Sequence, residues 1–403
     1  MQRENMSESN RMVNYYEEHE ISPVKQNLGD LDGLIARRSA LLSQLCMNQT
    51  FFRNRRLIEV GPGSGHNSLY FAALDPSDYT MVEPNSSGVK DIRSNFPIYH
   101  PHFKQLSIHQ VFLEEFVSSN KMLFDVVWCE NMLGGVSNPT AALSDLGKLV
   151  TPGGSLIITT MDEVCTFAET VRRLLCYAAL DKAPKSPEDT DILVPFLSKH
   201  LSNLKGMNRL HRDWVHDNIA LPITSGYNIL SLPLALNHLD NDFIFVSSSP
   251  RFYTDWRWYK NIPFSEESFN QLAIREFNRN LHTLIDYRFN YPSLDEQRTL
   301  SLKQLCQEFR LTVESLENDW NSESLLCARE ILKNIVQVVS EVAPRSRAAL
   351  EEALTSFDKI RGNPSLLGEM THFSEFFGKN QQHIHLVRKS PEVVLKQHER
   401  RNS

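Results

Sequence analysis

Glu59-Val60-Gly61-Pro62-Gly63-Ser64-Gly65-His66-Asn67 is the stretch on which the fold turns. It follows Arg56-Leu57-Ile58-Glu59-Val60, an apolar run of strand length, and precedes a helix-like segment over Leu69–Leu74. Glycines at a strand-to-helix turn let the backbone bend tightly and let a ligand approach closer than a Cβ would permit. The helix start behind them offers unpaired N–H groups. A dinucleotide loop, G-x-G-x-x-G, would need glycine where His66 stands, and a phosphate-binding P-loop would need G-K-[S/T], which is absent. Each of those motifs therefore lacks a required residue.

Outward from the loop, strand-like and helix-like segments alternate. Tyr79-Thr80-Met81-Val82-Glu83 reads as a second strand, Leu106–Phe112 as a third and Leu123–Cys129 as a fourth. A helix from Pro139 to Val150 closes at Thr151-Pro152-Gly153-Gly154, and Ser155–Thr160 is a buried-strand run. The alternation predicts an α/β fold: a doubly wound, mostly parallel, Rossmann-like sheet with helical N-terminal and C-terminal additions. Asp242–Ser247 is expected to be one of the last two strands. Beyond Pro263 the periodicity predicts helices near 265–290, 299–317, 321–343 and 346–360 and no strand. The expected division is a segment over 1–33 with a lid helix, a core over 34–260 with a helical insertion at about 165–225, a helical domain over 261–390 and a loose tail over 391–403. Truncation after Lys260 is then expected to leave ligand binding at the glycine loop measurable while destroying turnover, provided the shortened core still folds.

Composition narrows the function classes. The 403 residues carry 42 Lys and Arg against 49 Asp and Glu, a net charge of −7, which argues against a nucleic-acid binder held by wholesale phosphate neutralisation. Six scattered cysteines form no C-x-x-C pair, so no metal site or disulfide scaffold is expected. His100-Pro101-His102 and His383-Ile384-His385 have no Cys or carboxylate to complete a ligand set and read as loop and surface histidines. The N-terminus has no apolar signal region and no apolar run reaches membrane-spanning length, so a cytoplasmic protein without membrane attachment is expected.

Four features in order, E-x-G-x-G-x-G at 59–65, Glu83 at the end of the second strand, Phe124–Glu130, and the Pro-Gly-Gly turn inside Leu149–Leu156, resemble the class I S-adenosylmethionine-dependent methyltransferases over roughly residues 34–160. The resemblance implies a bacterial member with an extra helical C-terminal region, S-adenosylmethionine as cofactor and S-adenosylhomocysteine as product. It places the cofactor among Glu59, Gly61, Pro62, Gly63, Gly65, Glu83, Pro84, Val111, Phe112 and Glu130, with Glu83 on the ribose hydroxyls. Glu59 is equally a structural partner for backbone N–H groups. Two departures matter. The acid that many members set against the adenine amine is missing from Ile108–Phe112, so backbone groups and an apolar slot around Phe112 would hold adenine. Glu130-Asn131-Met132-Leu133 lacks the Asn/Asp-Pro-Pro-aromatic signature of enzymes that methylate nucleic-acid bases or glutamine.

The expected function is transfer of a methyl group to an O, N or C nucleophile of a small molecule. The alternatives are a cofactor-binding scaffold with a helical partner-binding domain, and a protein or peptide methyltransferase. Glu130, His66 and His19 are the candidate bases. Tyr15, Tyr16, Asn131, Arg251 and Trp256 are the candidate acceptor contacts, although Tyr15 and Tyr16 could equally cover the sheet and 251–260 could equally be junction packing. The C-terminal helices are expected to wall the acceptor pocket, with homodimerisation through them as the alternative.

Overall fold

A computed structural model describes residues 11–184, 186–221 and 229–390. Seven strands form one sheet: β1 (Arg56–Val60), β2 (Asp78–Val82), β3 (Leu106–His109), β4 (Phe124–Cys129), β5 (Val150–Thr160), β6 (Phe243–Ser249) and β7 (Gln382–Arg388). Their spatial order is β3-β2-β1-β4-β5-β7-β6. β1 to β5 run parallel, and β7 lies antiparallel to both β5 and β6. This is the doubly wound, mostly parallel α/β sheet that the alternation predicts.

Side chains leave a strand on alternate faces, and each face of the sheet has its own core. Leu57, Val126, Trp128 and Ile157 pack with Phe71, Ile92 and Leu42 on one side. Ile58, Val127, Leu156 and Ile158 pack on the other, in a cluster that continues through Leu174 into Phe309, Leu332 and Phe357. The helices near the strand ends are α1 (Arg11–Glu18), α2 (Leu31–Gln44), α3 (Ser68–Ala72), α4 (Ser86–Tyr99), α5 (Leu113–Ser119), α6 (Pro139–Lys148) and α7 (Phe167–Leu180). Local chemistry fixes several of their starts: Asp30, Asn85 and Asn138 accept the capping N–H groups of Gly33, Gly88 and Ala141.

Three expectations need correction. A strand does follow Pro263: β7 sits between β5 and β6, so a core ending at residue 260 omits an interior strand. The C-terminal helices, at 296–318, 322–342 and 347–360, are present, but they share one hydrophobic cluster with the sheet instead of forming a separate core. His383 and His385 are strand residues; His385 is buried, with Nδ1 2.8 Å from the Leu45 carbonyl and Nε2 2.9 Å from Ser155 Oγ. In smaller shifts, β3 stops at His109, before Val111 and Phe112, and β5 begins at Val150, so the Pro-Gly-Gly turn lies inside it. Residues 1–10 and the tail over 391–403 lie outside the described residues. No helix among the described residues is long and apolar enough to cross a membrane.

Candidate active site

The carboxyl ends of β1, β2 and β4 open into a cavity of about 1170 Å³, at the edge where doubly wound sheets bind ligands. Gly61 and Gly63 line it with φ of +73° and +57°, values that β-carbon-bearing residues rarely adopt. Glu83 faces them from the end of β2. Its Oε2 accepts the Gly63 N–H at 2.7 Å and its Oε1 accepts the Asn85 N–H at 2.8 Å, so the carboxylate latches the loop to the start of α4. Glu83 is only 4% exposed, and burial pushes its carboxyl up to about 7 against the pull of those two N–H groups.

The N-terminal segment is strapped across the loop. Ser64 donates its N–H to the Pro23 carbonyl at 2.9 Å and its hydroxyl to the Val24 carbonyl at 3.1 Å. Glu17 on α1 accepts from Asn85 Nδ2, the Ser86 N–H and the Ser86 hydroxyl at the start of α4. Met12, Tyr16, Pro23, Val24 and Gln26 thereby become cavity wall.

The expected cofactor residues divide. Gly61, Gly63, Glu83, Pro84, Phe112 and Glu130 line the cavity, whereas Glu59, Pro62, Gly65 and Val111 do not. Glu59 is buried and accepts a 2.5 Å hydrogen bond from Tyr79, the structural alternative for that residue. Gly65 faces Ile92, where a Cβ would lie 2.6 Å from Cγ1.

The candidate bases fare differently from expectation. Glu130 lines the cavity within a charge cluster: Arg38 Nη1 donates at 2.7 Å, Trp128 Nε1 at 3.2 Å, and His383 Nε2 lies 3.3 Å away. Burial alone would raise its carboxyl, but Arg38 and His383 together hold it well below the usual carboxylate range. A carboxylate so held is a poor proton acceptor. His66 is turned from the cavity, with Nδ1 3.0 Å from both the N–H and the carbonyl of Gln26 and Nε2 3.2 Å from Asn95; burial lowers its pKa. It fastens the strap. His19 packs against Tyr15 at 4.6 Å and is not part of the wall.

Among the acceptor candidates, Tyr16 and Asn131 line the cavity. Tyr16 donates to Asp217 at 3.3 Å, and Asn131, at φ +66°, holds a buried Oδ1 without a partner among the described residues. Tyr15 is buried beside Tyr16 but outside the wall. Arg251 clamps the C-terminal end of α2 through the carbonyls of Ser43 and Gln44. Trp256 is 92% exposed, away from the cavity. In this stretch Arg251 is bonded to the end of α2 and Trp256 lies in an exposed loop.

Residues that the pattern did not single out complete the site. Arg38 is stacked between Phe71 and Trp128 at 5.1 and 5.2 Å from the ring centroids. Glu169, Thr170 and Arg173 on α7, Trp214, and the loop 378–381 that enters β7 supply the wall remote from the glycines. Arg38 falls on the apolar period Leu34–Arg38–Leu42, and Glu169, Arg172 and Arg173 interrupt an otherwise apolar helix. A charge in such a place is the available sequence signal of a buried functional group.

The residues at the glycine end fit an adenosyl ligand. Glu83 is an acceptor-only group when ionised, placed for ribose hydroxyls, with Pro84 and Phe112 as apolar flanks for a base. The fold and the site thus define a doubly wound domain with a ligand-sized cavity at the carboxyl edge of its sheet and a second compartment beyond the glycine loop. A family model described as a methyltransferase domain matches residues 30–202. Residues 30–202 are accordingly a methyltransferase domain.

Similar solved structures include the N-methyltransferase NodS from Bradyrhizobium japonicum in complex with S-adenosylhomocysteine, 15% identical over 38% of this chain and 74% of that one, with a TM-score of 0.30. Magnesium protoporphyrin IX methyltransferase from Synechocystis with bound S-adenosylmethionine is 15% identical over 38% and 69%, with a TM-score of 0.28. The CcbJ methyltransferase from Streptomyces caelestis is 18% identical over 33% and 53%, with a TM-score of 0.27. Among curated proteins none matches the chain.

The Glu83 carboxyl sets a pH dependence. Its folded pKa of about 7 lies above the ordinary 4.5, so the folded chain keeps a proton that the unfolded chain releases. Stability from this group is full below about 4.5 and is lost as pH rises through about 7. Glu169 adds the same sign. Melting temperature is expected to fall as pH rises across this window, and less steeply in Glu83→Gln. Equal slopes in the two proteins would show that Glu83 is not held protonated.

Proposed function

We propose that the enzyme methylates a small molecule that enters the compartment walled by α7, Tyr16 and the loop into β7. The observation that carries this is one continuous cavity with the Glu83 and glycine-loop end on one side and convergent polar groups on the other. S-adenosylmethionine supplies an electrophilic methyl group on sulfur. The chain supplies alignment and exclusion of water. Glu83 would hold the ribose, Pro84 and Phe112 would flank the adenine, and the strap over 17–26 would close the site. The Arg38–Glu130 pair stiffens the floor beneath Asn131. Tyr287, Arg310 and Gln381 from the C-terminal region line the cavity without filling it, which supports an enzyme over a scaffold with a plugged cleft.

Calorimetry with the full chain is expected to detect S-adenosylhomocysteine binding and no appreciable binding of nicotinamide dinucleotides, because His66 takes the third-glycine position and is bonded to Gln26. No binding of S-adenosylhomocysteine at about millimolar ligand, a regime where even weak complexes register, would refute the assignment. Tight dinucleotide binding would point to an oxidoreductase.

A further inference from the structure

The charges on the wall remote from the glycine loop are unevenly committed. Arg173 pairs with Glu317 at 2.6 Å and donates to the Asn218 carbonyl, Arg209 pairs with Asp217, and Arg310 is shared by Glu163 and Glu314 at 2.9 and 3.0 Å. Each of these cations is neutralised by an acid of its own. Glu169 is not matched in this way. It stands on the first turn of α7, lines the cavity, is 9% exposed, and its Oε2 has no hydrogen-bond partner among the described residues. A buried carboxylate oxygen without a hydrogen-bond partner loses its water without a full replacement, unless a donor comes to it.

The groups packed round it explain why it is left open. On its own helix, Arg172 is turned to the carbonyls of Phe373 and Phe376 and lies 4.0 Å from the Phe377 ring centroid. From other elements come Asp286, whose carboxylate is paired with Arg288, the Cys165 thiol, and the backbone of Gly378. Lys379 next to it spends its amine on the Phe289 carbonyl and Asn290. Burial pushes the Glu169 carboxyl up to about 7, with Arg172 and the backbone N–H groups of Glu169 and Gly378 pulling the other way.

We propose that Glu169 receives the methyl acceptor, and that the group it receives is an amine. This rests on the methyltransferase assignment of the cavity. An ammonium or amine N–H supplies what the orphaned oxygen lacks, whereas a carboxylate or phosphate acceptor would meet an unpaired like charge. An acceptor bound as the ammonium first gives one proton to Glu169 Oε2, which passes it on to solvent. The nitrogen lone pair this frees forms the new N–C bond, the electron pair of the broken S–C bond remains on sulfur, and the product leaves as the methylated ammonium, so atoms and charge balance.

The test uses the full chain saturated with S-adenosylhomocysteine and three probes of one shape: 2-phenylethylamine, 2-phenylethanol and 3-phenylpropionate. Their rings suit the apolar wall at Trp214 and Met161. Calorimetry is expected to show the amine binding about tenfold or more tighter than the alcohol, the scale of a charge-assisted hydrogen bond, with no binding of the acid. Glu169→Gln should erase the preference for the amine and Glu169→Asp should restore part of it. Amine affinity should rise as pH passes through about 7 in the wild type and stay flat in Glu169→Gln, a change that a merely structural role would not produce. If S-adenosylhomocysteine binds but the amine has no advantage, or keeps it in Glu169→Gln, the acceptor assignment is overturned and the methyltransferase assignment stands. If S-adenosylhomocysteine fails to bind the wild type, both fall.

Discussion

A chain ending at Lys260 is expected to be unfolded at room temperature, with no cooperative melting transition and no cofactor binding. Such a chain loses β7, whose residues pair with Ser155–Thr160 on one side and with β6 on the other. Ile384 and Leu386 of β7 are fully buried, and burial of two such side chains is worth about 3–6 kcal/mol against a total stability of roughly 5–15 kcal/mol. The loss also strips backbone partners from β5 and isolates β6 from the sheet. Phe309, Leu332 and Phe357 go with the missing helices, opening the face of the sheet that they cover. A second truncation, ending at residue 380, keeps those helices and removes β7 together with the residues after it. It is expected to lose cooperative unfolding as well, which separates the contribution of β7 from that of the helices. Circular dichroism against temperature decides the matter. A cooperative transition in the 260-residue chain would mean that the sheet closes without β7, as the sequence pattern alone suggests.

β7 escapes the sequence pattern for a physical reason. Gln382-His383-Ile384-His385-Leu386-Val387-Arg388 does alternate, but its alternate positions are histidines, which read as polar in a chain segment far from the other strands. Their environment makes them interior: His385 is bonded between Leu45 and Ser155, and His383 sits against Glu130. No local pattern encodes partners some 230 to 340 residues away. The glycine loop was legible for the opposite reason. A strand, three glycines and a helix start are contiguous, and Glu83 lies at the end of the neighbouring strand, so spacing alone brings them together.

The chemistry of individual charges was less legible than their positions. Glu130 lies where an active-site acid is expected, at the end of β4, but its proton affinity is set by Arg38 from α2 and His383 from β7. His66 sits at the first turn after the loop and is turned to Gln26 by a strap that folds back from residue 17 onward. Glu169 is hidden among the apolar residues of α7, and only the folded arrangement shows that Arg173 and Arg310 are paired with other acids and that Arg172 acts on it by charge while its N–H groups go to carbonyls.

Gly63→Val is expected to abolish cofactor binding and to lower the melting temperature, and the structure changes the reason for it. The sequence suggests that the new side chain would fill ligand space. Instead, a Cβ at residue 63 would lie 2.7 Å from the Pro23 carbonyl oxygen, against the strap and not the cavity. The same residue has φ +57° and gives its N–H to Glu83, so a shift to relieve the contact also breaks the Glu83 latch. Left-handed backbone costs an L-residue roughly 1–2 kcal/mol, and a β-branched side chain there is worse. Strain and collision can be separated with alanine. Gly362 has φ +67° and open space where a Cβ would go, so Gly362→Ala pays for conformation alone and is expected to leave S-adenosylhomocysteine affinity unchanged. Gly63→Ala adds the Pro23 contact and the loss of the latch, and its affinity is expected to fall by about tenfold or more, the worth of a charged hydrogen bond. The valine variant should fall further still. If Gly63→Ala is no less stable than Gly362→Ala and binds S-adenosylhomocysteine like the wild type, the strap and the Glu83 latch are not part of the cofactor site.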